Sequence, residues 1–278
     1  MVAKSGSRRV QPSEDAPNGT LKPPLKWAGG KRWLVPTLRP LWEPHSHRRL
    51  VEPFCGGLAI GLSLAPARAL INDINPHAIN FYRHLQEGFR VPAAIEMLND
   101  RTTFYEHRER LNALIMEEKA ESAEAAALFY YLNRTGYNGL CRFNGKGLFN
   151  VPFGRYRSIA YRTDFTEYKR ALKPWTFTTK DFQDVRLRRG DFVYVDPPYD
   201  VPFTKYSKDG FSWDDQVRLA EWLDKFRGPV VASNQATPRI VALYESKGFR
   251  LTFLQGPRRI SCSGDRTPAT EILATRGL

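Results

Sequence analysis

The segment 191–199, with the sequence DFVYVDPPY, predicts a buried β-strand that stops at a rigid turn. Its first residues favour strand structure. The two prolines end the strand because neither can donate a ladder hydrogen bond, and Pro198 keeps Pro197 extended. Asp196 and Tyr199 are therefore expected at the carboxyl edge of a sheet, where ligands bind in open α/β folds.

Such a turn carries the groups needed to activate a planar amine. The Asp196 carboxylate and a stiff backbone carbonyl can accept both hydrogens of one NH2 group, while the ring of Tyr199 offers a stacking surface. Accepting these hydrogens helps the nitrogen to pyramidalise and localises its lone pair for attack. The exocyclic amine of a nucleobase fits this description. The alternative is an ordinary Pro-rich turn with a surface aspartate, because a four-residue match is only a hypothesis.

The length of the chain, 278 residues, suggests one large domain or two smaller ones. No apolar run is long enough to span a bilayer, and the N-terminus lacks the apolar region of a secretory signal. Cys55, Cys141 and Cys262 are far apart and odd in number, which fits neither a disulfide framework nor a CxxC zinc site. We therefore expect a location in a reducing cytoplasm.

The charge of the chain points to a polyanionic partner. Forty-two Lys and Arg residues against 29 Asp and Glu residues give a net charge of +13 and a pI of about 9.8. Nucleic acid is the first candidate, and a merely soluble basic protein is the alternative. Residues 1–20 are predicted to be a disordered basic tail.

Two glycine turns near the N-terminus are candidate cofactor contacts. Gly29 and Gly30 make a tight bend between lysines, and Trp27 beside them provides a ring that can pack on a cofactor. In residues 50–64 a strand, a glycine turn and an apolar helix start follow one another, which lets a charged ligand approach backbone amides. The turn matches neither GxGxxG nor a Walker loop.

Two acids follow predicted strands farther along the chain. Asp73 comes after a short strand and can either hold ribose hydroxyls or cap the next helix, and its sequence leaves both open. Asp181 lies in the predicted strand 176–182 and is a second candidate nucleoside contact.

The middle of the chain changes from helical to hairpin character. Residues 76–133 show helical periodicity. In residues 133–156, Asn144-Gly145 between apolar segments predicts a β-hairpin, and a basic two-stranded ribbon fits the major groove of B-DNA. Tyr137 and Phe143 are candidates to stack or wedge between bases. An exposed basic hairpin without function is the alternative.

The C-terminal part returns to alternating elements. It predicts helices at 165–173 and 213–226 and strands at 229–234, 250–254 and 270–275. Residues 201–211 read as a mobile loop beside the site, and residues 257–267 as a basic, flexible phosphate contact.

Together these motifs resemble the Dam-type, N6-adenine-specific DNA methyltransferases, the D12 class. The resemblance covers the chain from about residue 25 to its end. It rests on LKWAGGK (25–31), EPFCGG (52–57), DIN (73–75), LNRTGYNGLCRF…FNVPFGRY (132–156), DPPY (196–199) and SN (233–234). Each motif is weak alone, but their common order is specific. Leu58 departs from the family, which often carries a further glycine there. Leu148 and Gly145 depart from it in the hairpin.

The resemblance implies an α/β fold with a Rossmann-like class I methyltransferase sheet and an inserted target-recognition domain of helices and a β-hairpin. We expect a catalytic domain of residues 21–76 and 160–278 and an insert of 77–159, with the hairpin at about 136–155. It also implies S-adenosylmethionine as methyl donor, no metal, double-stranded DNA as partner, and a bacterial or phage-infected cell. The oligomeric state is left open.

The same resemblance assigns roles to individual residues. The flipped adenine is expected at Asp196, Pro197, Pro198 and Tyr199. The expected cofactor residues are Trp27, Lys31, Phe54, Gly56, Asp73, Asp181 and Asp196. For a GATC target, the expected base readers are Leu140, Arg142, Pro152 and Arg155, with Tyr137 intercalating, Asn138 on phosphate and Lys26 touching a base.

Two other functions stay open at this point. The same turn can serve other planar amines, namely cytosine N4, adenine in RNA or a glutamine side chain. A major-groove hairpin argues against RNA, whose deep groove excludes it, and against a protein substrate. A DNA-binding regulator that no longer turns over is the second alternative.

Overall fold

The computed structural model describes residues 21–200, 210–257 and 269–278, together with the backbone of Gln11–Pro12. The predicted tail 1–20 otherwise lies outside the described residues. The same is true of most of the predicted loop 201–211, of nearly all of the segment 257–267, and of Cys262.

The chain forms two compact units. We call the described parts of Lys31–Cys55, Ser63–Ile74 and Pro174–Leu278 the sheet unit. The described residues up to Gly30, with Gly56–Leu62 and Asn75–Lys173, form the helical unit.

The helices and strands have the following bounds in the described residues. The helices are α1 (Val35–Trp42), α2 (Ala59–Leu64), α3 (Pro76–Glu87), α4 (Arg101–Met116), α5 (Ala123–Thr135), α6 (Thr166–Leu172), α7 (Trp213–Asp224) and α8 (Pro238–Ser246). The main strands are β1 (Arg49–Glu52), β2 (Ala69–Asn72), β3 (Trp175–Thr178), β4 (Asp191–Val195), β5 (Val230–Gln235), β6 (Arg250–Gly256) and β7 (Ala269–Arg276). A two-residue parallel pair joins Gln11–Pro12 to Ala160–Tyr161.

The seven strands of the sheet unit form one sheet in the order β3-β2-β1-β4-β5-β7-β6. The first five are parallel, and β7 runs antiparallel between β5 and β6. The direction of winding reverses between β1 and β4, and such a switch point is where ligands bind in doubly wound sheets. The predicted α/β, Rossmann-like methyltransferase sheet is thus confirmed.

The central strands are apolar because both of their faces are covered. All residues of β2 and all residues of β4 are buried. The ends of two neighbouring helices are fixed by side chains: Ser212 and Asp215 form a capping box on α7, and Thr237 caps α8. The elements that follow β4 and β5 therefore begin at defined positions.

The helical unit has an aromatic core of its own. The ring of Phe81 on α3 stacks on Tyr130 of α5 at 5.2 Å and meets Phe165 edge-on. The cap of α3 is Asn75, whose side chain accepts from two backbone amides. Asp73 is therefore not the helix cap, and that alternative for it is wrong.

Two strand predictions need correction. The predicted strand 176–182 ends at Thr178, and Asp181 instead caps a 3-10 turn, Phe182–Asp184. The predicted hairpin forms only isolated bridges, Gly136 to Phe153 and Phe143 to Phe149, rather than two continuous strands.

The turn of this hairpin is also longer than Asn-Gly predicts. Asn144 and Leu148 close it, because the Asn144 amide donates to the Leu148 carbonyl at 2.9 Å. The left-handed residue is Gly147, with φ of 73°, rather than Gly145. This is the three-residue loop in which a turn is followed by one left-handed residue.

Candidate active site and nucleic-acid interface

Asp196 lies directly after β4, at the carboxyl edge of the sheet. Its Oδ1 accepts from Ser233 Oγ at 2.8 Å and lies 3.1 Å from Lys31 Nζ. Burial raises the pKa of Asp196 above its ordinary value, while Lys31 and Ser233 act in the opposite direction. The carboxylate is thus held by two donors, and its side chain remains 20% exposed.

The turn after Asp196 is held by side chains from α7 and β5. Gln216 Nε2 donates to the Pro198 carbonyl at 2.8 Å, and Asn234 Nδ2 donates to Gln216 Oε1 at 3.0 Å. Both side chains are buried. Ser233 and Asn234 therefore support Asp196 and Pro198 from adjacent positions of one strand.

Tyr199 has polar neighbours at its hydroxyl and at its ring. Its hydroxyl donates to Glu271 Oε2 at 2.5 Å, and Lys31 Nζ lies 4.5 Å from the ring centroid. Burial, followed by the charges of Asp196 and Glu271, raises the pKa of Tyr199. The phenol therefore keeps its proton and acts as a donor.

The residue after the motif anchors the turn from the other side. Asp200 is buried and pairs with the guanidinium of Arg239 through both carboxylate oxygens. Thr237 also donates to Asp200 at 3.2 Å. Arg239 in turn lies 4.5 Å above the ring of Trp213. The segment 196–200 is thus fixed at both ends.

Sequence reasoning missed Gln216, Arg239 and Glu271 as supports of this turn. Gln216 had a signal, because it shares the apolar face of α7 with Leu219 and Leu223 at helical spacing and is 1% exposed. A polar side chain on such a face needs a partner.

An aromatic cluster in the sheet unit surrounds Phe54, a predicted cofactor residue. Its ring lies 5.5 Å from Phe182 and 5.6 Å from Phe211. Asp73, also predicted at the cofactor, follows β2 and is 9% exposed. An aromatic surface and a carboxylate near the carboxyl ends of β1 and β2 suit an adenosine group.

Asp181 makes hydrogen bonds within the protein that the sequence did not predict. Its side chain accepts from the Gln183 amide at 2.9 Å and from Arg218 at 3.1 Å. Arg218 also lies over the ring of Phe182.

Trp27 and Gly56, the two other predicted cofactor residues, lie together in the helical unit. A Cβ on Gly56 would stand 2.5 Å from Trp27 Nε1, and one on Gly57 would stand 2.7 Å from Trp27 Cβ. Side chains at these glycines are therefore excluded by Trp27, through its indole at position 56 and through its Cβ atom at position 57. Leu58, where the family often has glycine, has a left-handed φ of 61° and is completely buried. Burial offsets the backbone strain of this leucine.

The individually predicted DNA-contact residues all lie in the helical unit. Tyr137 is 49% exposed, whereas Phe143 stacks on His77 at 4.5 Å and is engaged within the fold. Asn138 and Arg155 are exposed and have left-handed φ values of 52° and 51°. Uncommon backbone of this kind is frequent at functional sites.

The remaining predicted readers are also near the surface. Arg142 is exposed, and its guanidinium donates to Asn150 Oδ1 at 2.8 Å and to the Asn150 carbonyl at 3.1 Å. Pro152 is exposed, and Leu140 is half-buried.

Lys26 is tied to the end of α5. Its Nζ donates to the Arg134 carbonyl at 2.8 Å and lies 3.6 Å from the ring centroid of Tyr156. Gly139 makes room for it, because a Cβ there would stand 2.5 Å from Lys26 Cβ. Burial and the charge of Arg134 lower the pKa of Lys26 to about 8.

Among the residues that the structure describes, no three His, Cys, Asp or Glu side chains are grouped to hold a metal ion. No helix of those same residues is long and apolar enough to cross a membrane.

The doubly wound sheet, with a supported carboxylate, diproline turn and tyrosine at its carboxyl edge, defines a Rossmann-like methyltransferase. The chain belongs to the D12 class N6 adenine-specific DNA methyltransferases, whose family model matches residues 27–256.

Curated relatives agree with the family. The chain is 35% identical to the retron Ec67 DNA adenine methylase of Escherichia coli, over 91% of this chain and 90% of that one. It is 35% identical to the type II methyltransferase M1.LlaDCHI of Lactococcus lactis subsp. cremoris, over 92% and 95%. It is 34% identical to the DNA adenine methylase of Vibrio cholerae serotype O1, over 90% and 94%.

Proposed function

We propose that the chain transfers a methyl group from S-adenosylmethionine to N6 of an adenine flipped out of duplex DNA, with GATC as the target sequence. The observation that carries this proposal is the Asp196 carboxylate. It is held by Ser233 and Lys31 beside Tyr199, at the switch point of the sheet.

The residues of the turn act on the amine of the base. An adenine inside a duplex cannot be reached, so it must leave the stack. Tyr199 stacks on the flipped ring, and Asp196 and the Pro197 carbonyl accept the two hydrogens of N6. This localises the nitrogen lone pair, and because the turn is already fixed, little reorganisation is needed.

The cofactor is S-adenosylmethionine, which when bound supplies an electrophilic methyl group. The donor set of the sheet unit fits it: Asp73 suits ribose hydroxyls, Phe54 suits the adenosine rings, and Lys31 with Asp196 provides charged groups. We also propose that Asp181 contacts the adenine of the cofactor, in addition to its hydrogen bond with Arg218.

In the helical unit, Trp27 and Gly56 are further proposed cofactor residues. No metal takes part in the proposed reaction.

The helical unit supplies the proposed DNA contacts. Arg142, Arg155, Leu140 and Pro152 read bases in the major groove. Tyr137 is exposed enough to intercalate, Asn138 contacts phosphate, and Lys26 contacts a base. The exposure of Tyr137 and Arg155 supports these roles.

The proposed division into domains follows these two roles, DNA recognition and catalysis. We place recognition in residues 77–159 and catalysis in residues 21–76 and 160–278. The relatives in bacteria support a reaction in the cytoplasm of a bacterial or phage-infected cell.

The test is transfer of label from S-adenosylmethionine to unmethylated duplexes that contain GATC, GTTC or neither site. Label on the GATC duplex alone, recovered as N6-methyladenine, is the expected result. Equal label on adenine in all duplexes would keep the activity and overturn the GATC target. DNA binding without any transfer would favour a regulator.

A further inference from the structure

The hydroxyl of Tyr199 is joined to a carboxylate that comes from a distant part of the chain. Glu271 on β7 accepts from it at 2.5 Å and lies 72 residues beyond Tyr199 in the chain. Glu271 is 9% exposed, so this hydrogen bond is shielded from water. Hydrogen bonds to ionised acceptors are stronger than neutral ones.

Glu271 can occupy this position because Gly256, its diagonal neighbour on β6, has no side chain. A Cβ on Gly256 would stand 2.3 Å from Glu271 Oε1 and 2.7 Å from its Cδ. The backbone of Gly256 is not left-handed, so its conformation does not call for glycine. The glycine is needed because the carboxylate of Glu271 occupies the space that a side chain would fill.

Two contacts restrain the ring of Tyr199, and a third holds Lys31 in place beside it. Glu271 holds the hydroxyl, Lys31 Nζ lies 4.5 Å from the ring centroid, and the same ammonium lies 3.1 Å from Asp196. A stacking surface positions a base only if its plane is defined, and misplacement by about 1 Å can cost about 10²-fold in rate.

We infer that Glu271 is a positioning residue for Tyr199 and that Gly256 is present to admit it. This inference rests on the proposed function. Glu271 acts through Tyr199 and orients the ring that receives the flipped adenine.

The test compares kcat, the KM for DNA, and the fluorescence of 2-aminopurine at the target adenine. Glu271→Leu and Tyr199→Phe are each expected to lower kcat about tenfold, since a hydrogen bond to a charged group is lost. Both variants should also lower the flipped-base fluorescence, with the KM for DNA within about twofold of wild type. The double variant should be no slower than the slower single one, because the two residues act as a unit.

Two further variants separate positioning from folding. Glu271→Gln keeps an acceptor and should retain most of the wild-type kcat. Gly256→Ala should lower kcat as Glu271→Leu does, whereas Gly190→Ala, whose Cβ meets nothing within 4 Å, should leave it unchanged.

The outcomes distinguish this inference from the proposed function. An active wild-type protein with an unaffected Glu271→Leu variant overturns the inference and leaves the function standing. If the losses in kcat from Tyr199→Phe and Glu271→Leu multiply in the double variant, the two residues act independently. That result also overturns the inference and leaves the proposed function standing. A wild-type protein without methyl transfer overturns the proposed function, and the inference falls with it.

Discussion

The pKa of Asp196 is set by opposing influences. Burial raises its pKa, and the ammonium of Lys31 and the hydroxyl of Ser233 lower it. The proposed role requires the carboxylate form, because a protonated carboxyl group can accept fewer hydrogens from the amine.

Removal of this group should abolish methyl transfer. Asp196→Ala deletes one of the two proposed acceptors of the N6 hydrogens, so we expect no transfer above background to a GATC duplex. Circular dichroism and thermal unfolding should show a folded protein. Substantial transfer by a folded Asp196→Ala variant would contradict the proposed mechanism.

The pH dependence of kcat/KM for methyl transfer should show the effect of Lys31 on Asp196. Because burial raises the pKa of Asp196, the acid limb of kcat/KM should lie above the ordinary range of an aspartate. Lys31→Met removes an influence that lowers this pKa, so the limb should move to higher pH. Profiles at saturating S-adenosylmethionine measure this shift.

Arg32→Met is the matched control, since it removes an exposed cation at the next position. Its profile should coincide with that of wild type. An equal shift in both variants would mean that overall charge, rather than the Lys31 ammonium, sets the limb.

Among single residues, the sequence predicted where Asp196 and Tyr199 lie but not which side chains support them. Asp196 and Tyr199 follow from a strand that two prolines end. Glu271 could not be found in this way, because its partner is 72 residues away and the contact depends on which strands are neighbours.

Among the elements, the hairpin shows which part of a turn the local sequence predicts and which part it does not. The chain does reverse near Asn144, as Asn-Gly predicts, but Gly147 takes the left-handed position. The side chain of Asn144 accepts from the amides of Lys146 and Leu148 and thereby stabilises the longer turn. Such a turn is built by a side chain that competes with the strand ladder.

Arg155 at the end of this hairpin should read one base pair. Arg155→Ala is expected to cost about 1–3 kcal/mol of DNA binding and to relax specificity at a single position. Competition binding with duplexes that carry each single substitution in GATC measures it. Equal weakening on every sequence would instead make Arg155 a phosphate contact.

The hairpin is also held by α4. Asn112 donates to the Phe149 carbonyl at 3.1 Å and accepts from the Phe149 amide at 2.8 Å. Asn112→Ala should lower the free energy of unfolding by about 1–3 kcal/mol and reduce discrimination between GATC and GTTC. S-adenosylmethionine binding, measured by calorimetry, should not change.

Glu109→Ala, an exposed change on the same helix, is the control and should affect neither property. If Asn112→Ala discriminated between GATC and GTTC as well as wild type does, α4 would not order the proposed base-reading residues of the hairpin.

For the whole molecule, the net charge of +13 should appear as a salt dependence. If six or more cations contact phosphates, DNA affinity should fall roughly 10³-fold between about 50 mM and about 200 mM salt. Fluorescence anisotropy at several salt concentrations gives the slope. A flat response would mean that the charge does not serve DNA binding.

The fold as a whole was predictable because its signals are local and repeated. The apolar strands β2 and β4 and the periodic helices α3 to α5 stand where their patterns predict them. The end of β3 was misplaced, because Thr178 and Asp181 are both polar, and the sequence does not show that Asp181 caps a 3-10 turn instead of ending the strand.

The packing of Trp27 against Gly57 has a consequence for descent. The Cβ atom of Trp27 leaves no space for a methyl group at position 57. Every residue other than glycine carries that Cβ atom, so glycine at position 57 should persist over evolutionary time even in lineages that replaced the tryptophan. Alanine at position 57 should be selected against in all of them, even where the proteins act on the same DNA.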